Sequence, residues 1–149
     1  MLEPLYCSYP ILTDFHIFAD LANKIKEQIE IDIQNEFHIT LIYSQNPVDK
    51  NQIYNFLMNK FISWGNPIVT LNKLELFGDY LVILVDSKRL HDEFDELKNK
   101  FDCSWDFDSY QPHISLGKIN PEDYSKIKLI LPDVKIQTDL FKLDELIGD

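Results

Sequence analysis

The apolar and polar positions divide the chain into short periodic blocks. "LEPLYCSYPI" (2–11) is rich in β-formers and carries prolines near its ends, which predicts a strand. In "TDFHIFADLANKIKEQIEI" (13–31), Phe15, Phe18, Leu21, Ala22, Ile25 and Ile29 recur at spacings of three and four. That makes one apolar helix face, with Thr13 or Asp14 available as cap. "FHITLIYS" (37–44) alternates and predicts a strand; "VDKNQIYNFLMNKFISW" (48–64) is helical, with Asp49 near its start. "PIVTLNKLELFG" (67–78) and "DYLVILVDS" (79–87) predict two strands joined by a turn at Gly78-Asp79. A helix follows over 87–101, capped by Ser87, with Leu90, Phe94, Leu97 and Phe101 as its stripe. After a loop (102–111) come a strand at 112–119, a short helix at 121–130 and a strand at 133–143.

These elements repeat. Strand, helix and then His-Ile-Thr-Leu occupy 2–44; strand, helix and then His-Ile-Ser-Leu occupy 80–119. Leu5 to His38 is 33 residues and Leu81 to His113 is 32. No linker or low-complexity tract divides the 149 residues. The expectation is one α+β domain over 1–149. It has two pseudo-symmetric lobes of antiparallel strands with flanking helices around a central cleft.

Side chains on a strand alternate faces, so residues i and i+2 project together. His38 and Thr40 therefore share one face, and Phe37, Ile39 and Leu41 the other. In the second phrase His113 and Ser115 share a face, with Ile114 and Leu116 opposite. Four histidines and twelve Ser/Thr in 149 residues make fewer than one His-x-Ser/Thr pair by chance. Two occur, in the same frame, at matching points of the repeat. Imidazole titrates near neutrality, so one neutral histidine can take a proton while a protonated one gives one. A hydroxyl beside each can donate to a phosphate oxygen. Two such pairs facing each other compose a phosphodiester site that needs no metal. His16 and His91 lie on predicted helices with no hydroxyl at i+2, and are expected at the surface or an interface.

Charge narrows the ligand. With 14 Lys+Arg against 25 Asp+Glu the formal net charge is −11, and no basic stripe is present. Long nucleic acid is disfavoured, because phosphate backbones attract cationic surfaces. A short anionic substrate in a local pocket remains. The acidic run "HDEFDEL" (91–97) resembles a DxxD arrangement, but Asp92, Glu93 and Glu96 are expected on the solvated outer face of their helix. Cys7 and Cys103 stand in no CxxC or Cys/His cluster, so zinc is not suggested and two free thiols in a reducing compartment are expected. No secretory signal pattern or membrane-length apolar run is present, so a cytoplasmic protein without membrane partners is expected.

The paired phrases "FHITLIYSQNPVD" and "DFDSYQPHISLGK" resemble the two-histidine (2H) phosphoesterases, and among these the small phage anti-CBASS enzymes that degrade cyclic oligonucleotide signals. The resemblance spans nearly the whole chain. It implies that His38 and His113 form the acid/base pair and that Thr40 and Ser115 bind phosphate, with no metal and no cofactor. Ser115 stands where many relatives have threonine, and keeps the hydroxyl. The resemblance also implies attack by a ribose 2′-hydroxyl on the adjacent phosphodiester, through a 2′,3′-cyclic phosphate that is then opened.

A nucleotide substrate needs surfaces on which bases stack. Tyr6 and Tyr110 are the candidates, with Trp105 and Phe107 in the same loop as Tyr110; Tyr43 is left between packing and contact. Lys118 is a candidate for neutralising phosphate. The expected activity is hydrolysis of cyclic di- or trinucleotide messengers, countering a bacterial CBASS-type defence from the host cytoplasm. The alternatives are an RNA 2′,3′-cyclic or 2′,5′-oligoadenylate phosphodiesterase, and a non-catalytic nucleotide-binding sponge.

Overall fold

A computed structural model describes residues 2–145. In chain order it contains β1 (Leu2–Pro10), α1 (Phe15–Lys26), β2 (Ile31–Ile33), β3 (His38–Asp49), α2 (Lys50–Trp64), β4 (Ile68–Phe77) and β5 (Tyr80–Asp86). There follow α3 (Lys88–Phe101), β6 (His113–Ile119), a 3-10 turn (Pro121–Lys126), β7 (Lys135–Gln137) and β8 (Lys142–Glu145).

The strands form one antiparallel sheet in the order β7-β4-β5-β6-β3-β1-β8, with β2 added beside β6. Six spacings of about 4.8 Å would set the edge strands of a flat sheet about 29 Å apart. Yet β7 and β8 are joined by only residues 138–141, a stretch that reaches at most about 18 Å. The sheet must therefore curl, bringing its two edges toward each other.

Outward from the centre, each half has the strand bearing a histidine phrase and then the strand that precedes its helix: β3 then β1, and β6 then β5. The duplication expected from the sequence is thus a pseudo-two-fold at the β3–β6 seam. The helices pack crosswise. α1 lies against β2 and β6, and α3 against β3. Leu5, Ile39, Leu41, Leu81, Ile83, Ile114 and Leu116 are fully buried on the core face. A buried aliphatic side chain of this size contributes about 1.5–3 kcal/mol, so the core face fixes which way both phrases point.

Local signals account for most boundaries. The Asp49 carboxylate accepts from the backbone N–H of Asn51 and Gln52, and Ser87 Oγ accepts from Leu90 N–H at 3.1 Å. Gly78 takes φ +63° in the β4–β5 turn, a left-handed conformation that glycine adopts without strain. The expected cap of α1 is not used as one. Asp14 instead accepts from Gln137 N–H at 2.7 Å, and Thr13 Oγ1 donates to Asp139 at 2.9 Å. The helix ends at Lys26, and Ile31 and Ile33 join the sheet as β2. The strand expected over 133–143 is two strands on opposite edges of the sheet, because Asp139 also accepts from the Leu12 and Thr13 amides and turns the chain. Glu93 corrects a second expectation. It is buried, 1% exposed, between Arg89 Nε at 2.8 Å and the Tyr9 hydroxyl. Its position between Leu90, Phe94 and Leu97 puts it on the stripe despite its charge.

Candidate active site

β3 and β6 overlap only at their first residues, and those residues are the two phrases. Ile39 pairs with Ile114. The antiparallel register then sets His38 opposite Ser115 and Thr40 opposite His113. Opposed residues of an antiparallel pair project from the same face, so all four polar side chains leave the seam together. Beyond it β3 continues along β1, and β6 along β5 and β2. Gly117 permits the last pairing: a Cβ there would stand 2.4 Å from the Asp32 carbonyl oxygen.

In the first half, the Tyr6 hydroxyl lies 2.9 Å from His38 Nε2 and 2.8 Å from Thr40 Oγ1. Tyr6 packs edge-on against His38 and against Tyr43. Tyr43 reaches this face through a bulge. The register of β1 and β3 slips between Cys7/Ile42 and Ser8/Thr40, so Leu41 and Ile42 are both buried and the alternation resumes at Tyr43. In the second half, the Nδ1 of His113 lies 2.8 Å from the Gln111 carbonyl oxygen. A carbonyl only accepts, so Nδ1 carries the proton. The Phe77 ring stands edge-on to the His113 ring at 4.9 Å.

Burial pushes both imidazoles below their ordinary pKa. For His38, Glu36 opposes that shift, while His113 and Lys142 reinforce it. For His113 the Gln111 carbonyl opposes it.

A cavity of about 700 Å³ opens beside the seam, a size typical of small-molecule sites. Thr40 and His113 line it together with Tyr6, Tyr43, Phe77, Gly78 and the loop 105–109. Among the described residues lining it there is no lysine or arginine; its ionisable side chains include His113, Asp106 and Asp108. A smaller cavity of about 270 Å³ lies on the other side of Tyr6, lined by His38, Glu36, Asn35, Lys142 and Asp144 among others. The loop is held by β3: Ser44 Oγ accepts from Ser104 N–H at 3.0 Å, and Asn46 Nδ2 donates to the Asp102 carbonyl at 2.6 Å. Phe107 at its tip is 71% exposed.

Two expectations are corrected. Tyr110 is 7% exposed and offers no face to a base. Its ring stacks on Phe94 at 4.4 Å, and its hydroxyl donates to the Thr40 carbonyl at 2.8 Å, so it props the first phrase from beneath. A bulge at Leu116-Gly117 returns Lys118 to the face of His113 and Ser115, but it pairs there with Asp79 at 3.4 Å and lines neither cavity. The structure brings Tyr43, Phe77, Trp105 and Phe107 to the cleft instead. Cys7 and Cys103 are free and buried. Among the described residues, no three His, Cys, Asp or Glu side chains are grouped to hold a metal, and no helix is long and apolar enough to cross a membrane.

Comparison with known proteins agrees with this architecture. The crystal structure of the MHV ns2 PDE domain is similar, with a TM-score of 0.62 at 14% identity over 96% of this chain and 99% of that one. None of the curated proteins matches the chain. The sequence model of one family, described as anti-CBASS protein Acb1, matches residues 4–145. The chain belongs to the anti-CBASS Acb1 family.

Proposed function

We propose that this protein is a phosphodiesterase that hydrolyses small cyclic oligonucleotides by histidine acid/base chemistry and so counters CBASS defence. The observation that carries this reading is the seam, where two imidazole–hydroxyl pairs leave one face of the sheet beside an aromatic-walled cavity. His38 and His113 act as the acid/base pair, and Thr40 and Ser115 hold the phosphate. One imidazole takes the proton of the attacking 2′-hydroxyl while the other protonates the leaving oxygen. Tyr43, Trp105 and Phe107 flank the bases, since aromatic rings in the cavity wall give stacking surfaces. The substrate is met in the host cytoplasm.

The test is incubation in EDTA with cyclic dinucleotides, cyclic trinucleotides, 2′,5′-oligoadenylate and 2′,3′-cyclic nucleotides, followed by chromatography. Turnover of cyclic oligonucleotides that persists in EDTA is expected. A 2′-deoxyribose at the cleaved position should stop it. Turnover confined to 2′,5′-linked or 2′,3′-cyclic substrates would assign a different substrate to the site. Tight binding without turnover would make the protein a sponge.

A further inference from the structure

Tyr6 touches the two side-chain atoms that the proposed mechanism needs most in the first half of the site. Its hydroxyl makes a three-atom chain: His38 Nε2, Tyr6 Oη, Thr40 Oγ1, with links of 2.9 and 2.8 Å. Two hydrogen bonds need two hydrogens. Tyr6 and Thr40 each own one, and His38 Nε2 carries either one or none. If Nε2 is bare, the Tyr6 hydrogen must point to it, and Thr40 must donate to Tyr6. Thr40 then has only lone pairs to offer a phosphate. If Nε2 carries a proton, it donates to Tyr6, Tyr6 donates to Thr40, and the Thr40 hydrogen is free for the phosphate.

We propose that Tyr6 is a positioning residue that makes phosphate donation by Thr40 conditional on a proton at His38 Nε2, the neutral ring carrying its hydrogen on Nδ1 and accepting from Tyr6. The inference rests on the phosphodiesterase reading above. It assigns the two histidines. His113 has Nδ1–H committed to Gln111, so its neutral ring presents a lone pair at Nε2 and suits the base. His38 then is the acid, and the state that can deliver a proton is also the state that grips the substrate. In the transfer step the attacking 2′-hydroxyl gives its proton to His113 as the new O–P bond forms. The leaving oxygen replaces the Tyr6 hydroxyl as acceptor of the His38 Nε2 hydrogen and takes that proton as the old P–O bond breaks. The vacated Nε2 lone pair accepts the Tyr6 hydrogen, Tyr6 accepts from Thr40, and the Thr40 grip is withdrawn. When the cyclic phosphate is opened the protons run the other way, from water to His38 and from His113 to the ribose oxygen.

The groups around His38 set when this happens. Tyr6 faces it from β1, His113 from β6, and Lys142 and Asp144 line the neighbouring cavity from β8, with Glu36 just before β3. His38 thus titrates between a lysine that disfavours its imidazolium and a glutamate that favours it.

The experiment compares Thr40→Val in two backgrounds, wild type and Tyr6→Phe, which keeps the ring packing on Tyr43 and His38. Affinity for a 2′-deoxy cyclic dinucleotide is measured by calorimetry on both sides of the His38 titration. In wild type, Thr40→Val should weaken binding about ten-fold on the acid side, as loss of one hydrogen bond to a charged group does, and by two-fold or less on the alkaline side. In Tyr6→Phe the penalty should be the same on both sides. An equal penalty at both pH values in wild type would overturn the proposal. NMR titration of the His38 ring needs no ligand. Thr40→Val should displace the His38 midpoint when Tyr6 is present and leave it unmoved in Tyr6→Phe. Movement in both backgrounds, or in neither, refutes the chain even if no cyclic nucleotide binds; absence of binding alone would count against the phosphodiesterase reading.

Discussion

His38 and His113 come from matching strands of matching units, yet they are held in different ways. His38 is tied by a side chain, Tyr6, which also holds Thr40. His113 is tied by the main chain, through the Gln111 carbonyl, and walled by Phe77. The position on β5 that corresponds to Tyr6 in the ladder is Tyr80, which pairs with Lys118 as Tyr6 pairs with Tyr43; the Lys118 ammonium lies over its ring at 6.0 Å. Duplication therefore supplied two imidazoles and two hydroxyls in symmetric places, and the neighbours broke the symmetry. A symmetric pair would compete for the same role. Two histidines with different second partners can hold different protonation states at one pH, which acid/base catalysis on a single phosphate requires.

The largest effect should come from removing either imidazole. His38→Ala and His113→Ala should each lower kcat about 10²–10⁴-fold, the usual contribution of a general acid or base, with unfolding midpoints close to wild type because neither ring is core. The comparison adds a distinction. A substrate with an activated leaving group, such as a nitrophenyl phosphodiester, does not need its leaving oxygen protonated. If His38 is the acid, this substrate should restore much of the lost rate in His38→Ala and little in His113→Ala. Equal rescue of both variants would erase the difference between the halves.

This division of roles is where legibility in the sequence stops. The four polar residues could be read from the period of two and the repeated frame, because burial of Ile39, Leu41, Ile114 and Leu116 leaves their neighbours one direction to face. Strand and helix order was legible for the same reason. Contacts between distant residues were not. Tyr6 and His38 are 32 positions apart, and nothing in the first strand marks its hydroxyl as their link. The bulge at Leu41-Ile42 moves Tyr43 onto the cleft face, against the parity that strict alternation assigns. Tyr110 reads as a polar-edged ring beside the site, but only packing on Phe94 decides that it lies beneath it. Glu93 shows the opposite error: its spacing placed it in the core, and its charge argued otherwise until Arg89 and Tyr9 were seen around it.

The hydroxyls rank next. Thr40→Val should lower kcat/KM about 10²-fold, in the range of a lost donor to a developing oxyanion. Ser115→Ala should cost less, about ten-fold, because Ser115 has no side chain tying it to an imidazole. Steady-state kinetics on one cyclic dinucleotide measure both. A larger loss for Ser115→Ala would mean that the second half, not the first, grips the phosphate.

The smallest effect tests electrostatics alone. The profile of kcat/KM against pH reports the free-enzyme titrations of the acid and the base. Burial sets both histidines below the usual imidazole range, so the falling limb should lie on the acid side of about pH 6.5. Glu36 opposes that shift for His38, because a carboxylate favours the imidazolium. Glu36→Gln should therefore lower the His38 midpoint and move the falling limb further acid, reducing activity at neutral pH about two-fold. Lys142 acts in the reverse sense, so Lys142→Met should move the same limb toward alkali. Neither carries a shift for His113, whose causes are burial and the Gln111 carbonyl alone. The two variants should thus displace one limb in opposite directions and leave the other in place. If both limbs moved together, the two halves would titrate as a single unit and the asymmetry between Tyr6 and Gln111 would have no bearing on which histidine is the acid.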